Sequence, residues 1–251
     1  MKNNLYYACI NQCGFIRKKN EDNFFLQGVY RRKDEEEDIA VSGKILLRDK
    51  KEIVGVFDGM GGEACGEVAS FLAASTLQTT SGLSKKPKDT ILQLCELLNQ
   101  KVCDYSENNG VQRMGTTLAC VLFDKKRWHA FNIGDSRIYV LSHGHLSCLT
   151  TDHISPENNG RKGALLQYLG LPENEYHLRP GIREMKYHNN DLILICTDGL
   201  TDMVSDEDIA KILEKDESEE QLAWHLCERA LQNGGRDNIT LILLRVKKSW
   251  F

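Results

Sequence analysis

Hydrophobic positions along this chain fall mostly into short runs of strand length, interrupted by a few longer stretches with helical spacing. Two runs end in the same way. Ile53–Phe57 leads into Asp58-Gly59, and Leu192–Cys196 leads through Thr197 into Asp198-Gly199. A buried strand that delivers a carboxylate to its end, followed by backbone free to take unusual φ/ψ, suits a hard cation or a phosphate. After Asp58 the chain breaks through Gly59-Met60-Gly61-Gly62, and helical spacing follows from Glu63 to Thr80.

The same reading extends along the chain. Leu5–Ile10, Phe24–Leu26, Ile39–Val41 and Lys44–Leu47 are expected strands, and Arg31–Asp38 is expected to be a solvated, strongly charged connection. Asp89–Glu107 has helical spacing, with Pro87 near its start and Leu92, Cys95, Leu98 and Val102 as the stripe expected to face a sheet. Gly115–Phe123, Trp128–Ile133 and Ile138–Leu141, joined by tight polar turns, predict an antiparallel meander. Ser142–His145 closes a further hairpin, whose histidine pair is expected at an exposed tip. Ile154–Gln167 is expected to be a surface loop or lid. A strand from Arg183 to Tyr187, helices over Asp206–Glu214 and Ser218–Gln232, and a glycine-rich loop over Asn233–Asn238 lead to a last strand, Ile239–Val246. No repeat or linker interrupts the pattern, so residues 1–251 are expected to form one domain.

Composition narrows the classes. At 251 residues, 41% hydrophobic and 27% charged, the chain has ordinary globular make-up. A net charge of -4 gives no electrostatic case for nucleic acid. No apolar run has the length of a membrane span, and the start Met1-Lys2-Asn3-Asn4-Leu5 lacks a secretory hydrophobic region, so neither membrane nor export is expected. Nine cysteines, mostly set singly inside apolar patterns, read as reduced thiols of a cytoplasmic protein. Cys9 and Cys13 lack the second pair that a zinc finger would need.

The candidate chemistry is carboxylate chemistry. Glu21, Asp22, Asp58, Asp135, Asp198 and Asp237 all stand at strand edges or in turns. Gathered together they would repel one another unless cations were present, and all-oxygen ligands favour Mg²⁺ or Mn²⁺ over zinc. Asp58 is placed to bridge two ions, with the Gly59 carbonyl as a further ligand, and two ions ~4 Å apart suit in-line displacement at phosphorus by a bridging water. Arg17 would clamp phosphate oxygens with a fork that lysine lacks.

These motifs occur in a familiar order. Arg17-x-x-Asn20-Glu21-Asp22, Asp58-Gly59-Met60-Gly61-Gly62, Gly115-Thr116-Thr117, Gly134-Asp135-Ser136-Arg137, Thr151-Asp152-His153, Asp198-Gly199 and Asp237-Asn238 resemble the metal-dependent type-2C serine/threonine protein phosphatases, in their bacterial-type branch. The resemblance runs from about Gly14 to Val246 and rests on the ordered set, since each motif is weak alone. It implies an α+β fold, a four-layer α-β-β-α sandwich of two packed antiparallel sheets flanked by helices. It also implies hydrolysis of phosphoserine and phosphothreonine in protein substrates, opposite a serine/threonine kinase. Asp58 and the Gly59 carbonyl would hold two Mn²⁺ or Mg²⁺ ions. Asp198 and Asp237 would complete one, Glu21 and Asp22 the other or its water shell, and Asp135 would help hold a third. Arg17 would bind phosphate.

The chain departs from the pattern in two places. Met60 stands where animal relatives carry a histidine, so no side-chain general acid is assigned. The stretch between His153 and Leu169 is shorter than the mobile flap of bacterial relatives, which predicts a more open cleft. Two rivals follow: a catalytically silent phosphatase-like binding module, and a calcium-stabilised structural domain. The first would be expected to lack some of the acids, and the second would need its ligands close together in one loop.

Overall fold

The computed structural model describes residues 2–47, 51–60, 65–80, 84, 86–111, 114–156, 163–172 and 177–249. Five strands, β1 (Lys2–Gln12), β2 (Asn23–Leu26), β3 (Ile39–Leu46), β4 (Glu52–Phe57) and β5 (Gly59–Met60), precede helices α1 (Gly66–Thr79) and α2 (Pro87–Asn109). Then come β6 (Gly115–Thr116), β7 (Leu118–Phe123), β8 (Arg127–Ile133), β9 (Arg137–Ser142), β10 (His145–Cys148), β11 (Gly181–Lys186) and β12 (Leu192–Cys196). The chain ends with α3 (Asp198–Thr201), α4 (Asp206–Leu213), α5 (Glu219–Gln232) and β13 (Ile239–Ser249).

Two antiparallel sheets form, in the orders β10-β9-β12-β13-β1-β3 and β11-β8-β7-β4-β2, with a small ribbon of β5 and β6. The apolar runs of central strands such as β7 and β12 are continuous because both of their faces are covered, and period two sorts each run between two cores. In β12, Ile193 and Ile195 point into the layer between the sheets, while Leu192, Leu194 and Cys196 meet α3, α4 and α5. In β7, Ala119, Val121 and Phe123 enter the inter-sheet core, and Leu118, Cys120 and Leu122 meet α1 and α2. The result is the expected α-β-β-α stack. Each large apolar side chain fully buried in it contributes ~1.5–3 kcal/mol relative to exposure.

The helices follow their local signals. Pro87 opens α2, where its missing N–H costs nothing, and Gly110 ends it in the left-handed region at φ 64°. Ser218 and Gln221 form a capping box at the start of α5. Described helix α1 begins at Gly66; Gly61, Gly62 and Glu63 of the expected break lie outside the described residues. Among the described residues no helix is long and apolar enough to cross a membrane. All nine cysteines are free thiols, and Cys9 lies in the core rather than facing a ligand.

Four expectations need correction. The meander does not exist as one sheet: β7 and β8 pair in the five-stranded sheet, β9 and β10 in the six-stranded one. The turn at Gly134–Ser136 carries the chain between layers, and runs that are apolar on both faces give no sign of which sheet they join. The inward stripe of α2 is Ile91, Leu94, Cys95, Leu98 and Val102; Leu92 sits one residue off that face and is exposed. Ile39–Val41 and Lys44–Leu47 are not separate strands but largely one, β3, paired along β1. The charged connection after Tyr30 is exposed over 32–38, but Arg31 is buried.

Candidate active site

Asp58 is the first residue after β4, and its position is fixed through the backbone. Its N–H donates to Thr117 Oγ1 at 3.0 Å, and its carbonyl accepts from Thr117 N at 2.9 Å and Thr116 Oγ1 at 2.8 Å. Gly59 then passes where no side chain fits: a Cβ there would lie 2.3 Å from the Glu21 carbonyl oxygen and 2.4 Å from that of Gly66. This close approach brings the Glu21 backbone against the start of α1, and Ser70 Oγ donates to the Glu21 carbonyl at 2.6 Å.

The second Asp-Gly is built the same way. Asp198 opens α3, and a Cβ on Gly199 would meet the Asn238 carbonyl oxygen at 1.9 Å. Asn238 in turn ties three segments together. Its side-chain oxygen accepts from Glu21 N at 2.8 Å, and its amide donates to the carbonyls of Cys13 at 2.8 Å and Lys19 at 3.0 Å. Arg17 Nη2 donates to Asp237 Oδ2 at 2.7 Å, on a pair that is largely exposed.

These turns converge on a cleft of about 250 Å³. Arg17, Glu21, Asp58, Gly59, Asp135, Asp198 and Asp237 line it, with Met60, Thr117 and Leu165 completing the wall. Seven of the eight expected site residues therefore share one cavity. The eighth, Asp22, does not line it. Asp22 is buried behind the cleft beside a larger cavity of about 540 Å³, which holds charges of both signs but none of the cleft's carboxylates.

Asp22 belongs to a buried polar chain that sequence reasoning missed. Its Oδ2 accepts from Thr197 Oγ1 at 2.8 Å and from Thr240 Oγ1 at 2.7 Å. Thr240 Oγ1 accepts from Asn11 Nδ2 at 2.7 Å, and Asn11 Oδ1 accepts from Arg31 Nη1 at 2.8 Å. Arg31 also donates to the carbonyls of Glu35 at 2.7 Å and Glu37 at 2.9 Å. A buried cation thus stands behind a buried carboxylate, with one amide and one hydroxyl between them. The only available hint was the charged run itself, in which Arg31, Arg32 and Lys33 precede five acids.

Charge in the cleft is one-sided. Burial, then the charges of Asp22 and Asp198, a hydrogen bond to Asp198 and the charge of Asp135, push the Asp58 carboxyl well above the usual carboxylate range. Asp22 is raised well above it too, chiefly by burial, despite the two hydroxyls that favour its charged form. Glu21 is raised by burial and by Glu67. Groups held this way take up protons or cations. Apart from Arg17, the charged side chains of the wall present only carboxylate oxygens, a donor set that fits hard divalent ions. Among the described residues no three of them already form a closed cation cage; they are gathered in one cleft rather than locked around one point.

The remaining motifs support the wall. Thr117 Oγ1 and Ser136 Oγ lie 2.7 Å apart, linking the Asp58 turn to the Asp135 turn. Arg137 donates to both oxygens of Asp152, and His153 Nδ1 accepts from Gly134 N at 3.1 Å. Burial lowers the His153 pKa. The expected lid is a paired stem where described: Ser155 N donates to the Ala164 carbonyl and Leu166 N to that of His153, both at 2.8 Å. Residues 157–162 lie outside the described residues.

Comparison with known proteins points to one family. Residues 40–227 match the family Protein phosphatase 2C. The chain is 32% identical over 252 aligned residues to the serine/threonine phosphatase stp of Listeria innocua, covering 92% of each chain. It is 30% identical to the serine/threonine protein phosphatase PstP of Mycobacterium tuberculosis, covering 96% of this chain and 45% of that one. The crystal structure of the PstP catalytic domain in complex with two manganese ions superposes with a TM-score of 0.76 at 28% identity, over 98% of this chain and all of that one.

Proposed function

This chain belongs to the protein phosphatase 2C family, and we propose that its cleft hydrolyses phosphoserine and phosphothreonine monoesters of protein substrates with the help of Mn²⁺ or Mg²⁺. The observation that carries the site assignment is the convergence of five carboxylates and one arginine on one cavity. In this reading Asp58 and the Gly59 carbonyl hold two ions, Asp198 and Asp237 complete one ligand set, and Glu21 serves the other. Asp135 is the candidate for a third ion. Asp22, behind the cleft, orders the second ion's surroundings rather than facing substrate. Bound divalent ions supply a water of lowered pKa and neutralise charge on the phosphate.

The protein's own groups do the rest. Arg17 takes the phosphoryl oxygens; Nη2 is held by Asp237, which fixes the direction of the guanidinium fork. Met60, in the cleft wall, has no proton to give, so the leaving alkoxide draws its proton from water. The full set of acids disfavours a silent binding module, and their spread over five separate segments disfavours a calcium-stabilised loop. We place the chain as the opposing partner of a serine/threonine kinase in the cytoplasm, acting as one catalytic domain. The test is phosphate release from a phosphothreonine peptide with Mn²⁺, repeated with excess EDTA and with Asp58→Asn. Release that stops in chelator and in the folded variant is expected. Turnover that survives either change would remove the metal role or the Asp58 role.

A further inference from the structure

Three of the most exposed large apolar side chains among the described residues stand within two positions of residues that line the cleft. Phe15 and Ile16 are each 68% exposed and Leu166 is 57% exposed, ahead of every other exposed large hydrophobic residue. Ile16 precedes Arg17 and Leu166 follows Leu165, and both Arg17 and Leu165 line the cleft. Single exposed apolar residues need no explanation, but an apolar group at the rim of a polar site marks a binding surface.

Both elements are held, not loose. Gly14 takes φ +79° with no room for a Cβ, which would lie 2.3 Å from the Asp237 carbonyl oxygen. Phe15 N donates to the Gly235 carbonyl at 2.8 Å, and Cys13 N donates to Asp38 Oδ1 at 2.9 Å. Leu166 is fixed through its N–H to the His153 carbonyl. The main chain is therefore held at Phe15 and Leu166 before any partner arrives, which lowers the ordering cost of binding.

We infer that Phe15, Ile16 and Leu166 form an apolar docking rim that selects phosphoprotein segments carrying apolar residues beside the phosphorylated serine or threonine. The inference rests on the phosphatase reading above. The occupant follows from continuity with the cleft: a phosphoryl group held at Arg17 brings the flanking residues of its own chain within one or two residues' reach of Ile16 and Phe15. Acidic flanks would instead meet the carboxylates of the wall. Recovering roughly 60 Å² of apolar surface over the two flanking side chains together corresponds to about a tenfold gain.

The experiment compares two phosphothreonine peptides of equal length and charge, one with leucine and phenylalanine on either side of the phosphothreonine, the other with serine and glycine there. Para-nitrophenyl phosphate, which has no flanks, reports the cleft alone. About tenfold higher kcat/KM for the apolar peptide is expected, carried by KM. Phe15→Ser with Ile16→Ser, and separately Leu166→Ser, are expected to erase that preference while para-nitrophenyl phosphate turnover stays level. Equal use of both peptides by the unaltered protein overturns the inference. So does a preference that survives both variants, or a parallel fall on all three substrates, which would make these residues part of the cleft's architecture. Equal use together with a dimer that the Phe15→Ser, Ile16→Ser variant dissolves would assign the rim to a second copy of the chain and also overturn it. No turnover of any substrate with Mn²⁺ would instead refute the phosphatase reading, and this inference with it.

Discussion

Arg31 lies outside the cleft and is linked through buried hydrogen bonds to Asp22 behind it. Its guanidinium is buried, and its fork is spent on Asn11 and on two backbone carbonyls, so its charge acts on Asp22 through Asn11 and Thr240. Arg31→Met keeps the stem and removes both charge and donors, leaving buried acceptors unpaired at ~1–3 kcal/mol each. Expected outcomes are lower stability in urea and about tenfold weaker Mn²⁺ binding by calorimetry. A variant with normal Mn²⁺ affinity, however unstable, would reduce Arg31 to a structural role. The carboxylates of the cleft were legible in the sequence because each stands beside a glycine or a turn, where a polar side chain has a local reason to be. The Arg31 relay was not. Arg31, Asn11 and Thr240 are joined only by tertiary pairing, across up to 229 positions, and no local pattern marks a buried polar partner.

At the scale of elements, the site depends on how closely two strand ends approach. The short helix α3 touches the loop before β13 at Gly199, where a Cβ would meet a backbone oxygen at 1.9 Å. Backbone cannot rotate away as a side chain can. Gly199→Ala is therefore expected to cost ~1–3 kcal/mol as overpacking and to weaken Mn²⁺ binding, because it parts Asp198 from Asp237. Gly110→Ala is the contrast. At φ +64° with nothing within 4 Å, it carries only the ~1 kcal/mol conformational penalty and leaves metal binding alone. Denaturation midpoints with Mn²⁺ titrations separate the two, and equal metal affinity in both would show that the approach at Gly199 does not set the site. Strand and helix identities were readable because period two and helical spacing are local. The switch of sheets at Gly134–Ser136 was not, since β8 and β9 are apolar enough to suit either layer. That switch places Asp135 in the cleft wall. The feature least visible in the sequence therefore positions one of its acids.

For the whole molecule, a cleft of acids is a stability liability that ions relieve. Asp58 and Asp22 have folded pKa values raised well above the ordinary range, so the metal-free native state binds protons more tightly than the unfolded chain. Their contribution to stability is thus fully present below the ordinary carboxylate pKa and is lost as pH rises through the raised folded values. Metal-free protein should lose stability on that account as pH rises above the ordinary carboxylate range of about 4. Mn²⁺ competes with protons for the same oxygens, so its benefit should run the other way. At a hundredfold excess over Kd, one bound ion adds ~2.7 kcal/mol, which for a chain of this size is a Tm gain of about 5–10 °C. Melting curves with and without Mn²⁺ at about pH 5.5 and about pH 7.5 test both signs. The gain should be large at the higher pH and shrink at the lower. In Asp58→Asn, which keeps the shape but removes a charge, the metal-free protein should be more stable than the parent at the higher pH while its Mn²⁺ gain falls. A Tm gain equal at both pH values, or an Asp58→Asn protein that melts earlier than the parent without metal, would show that repulsion among these carboxylates does not limit the fold.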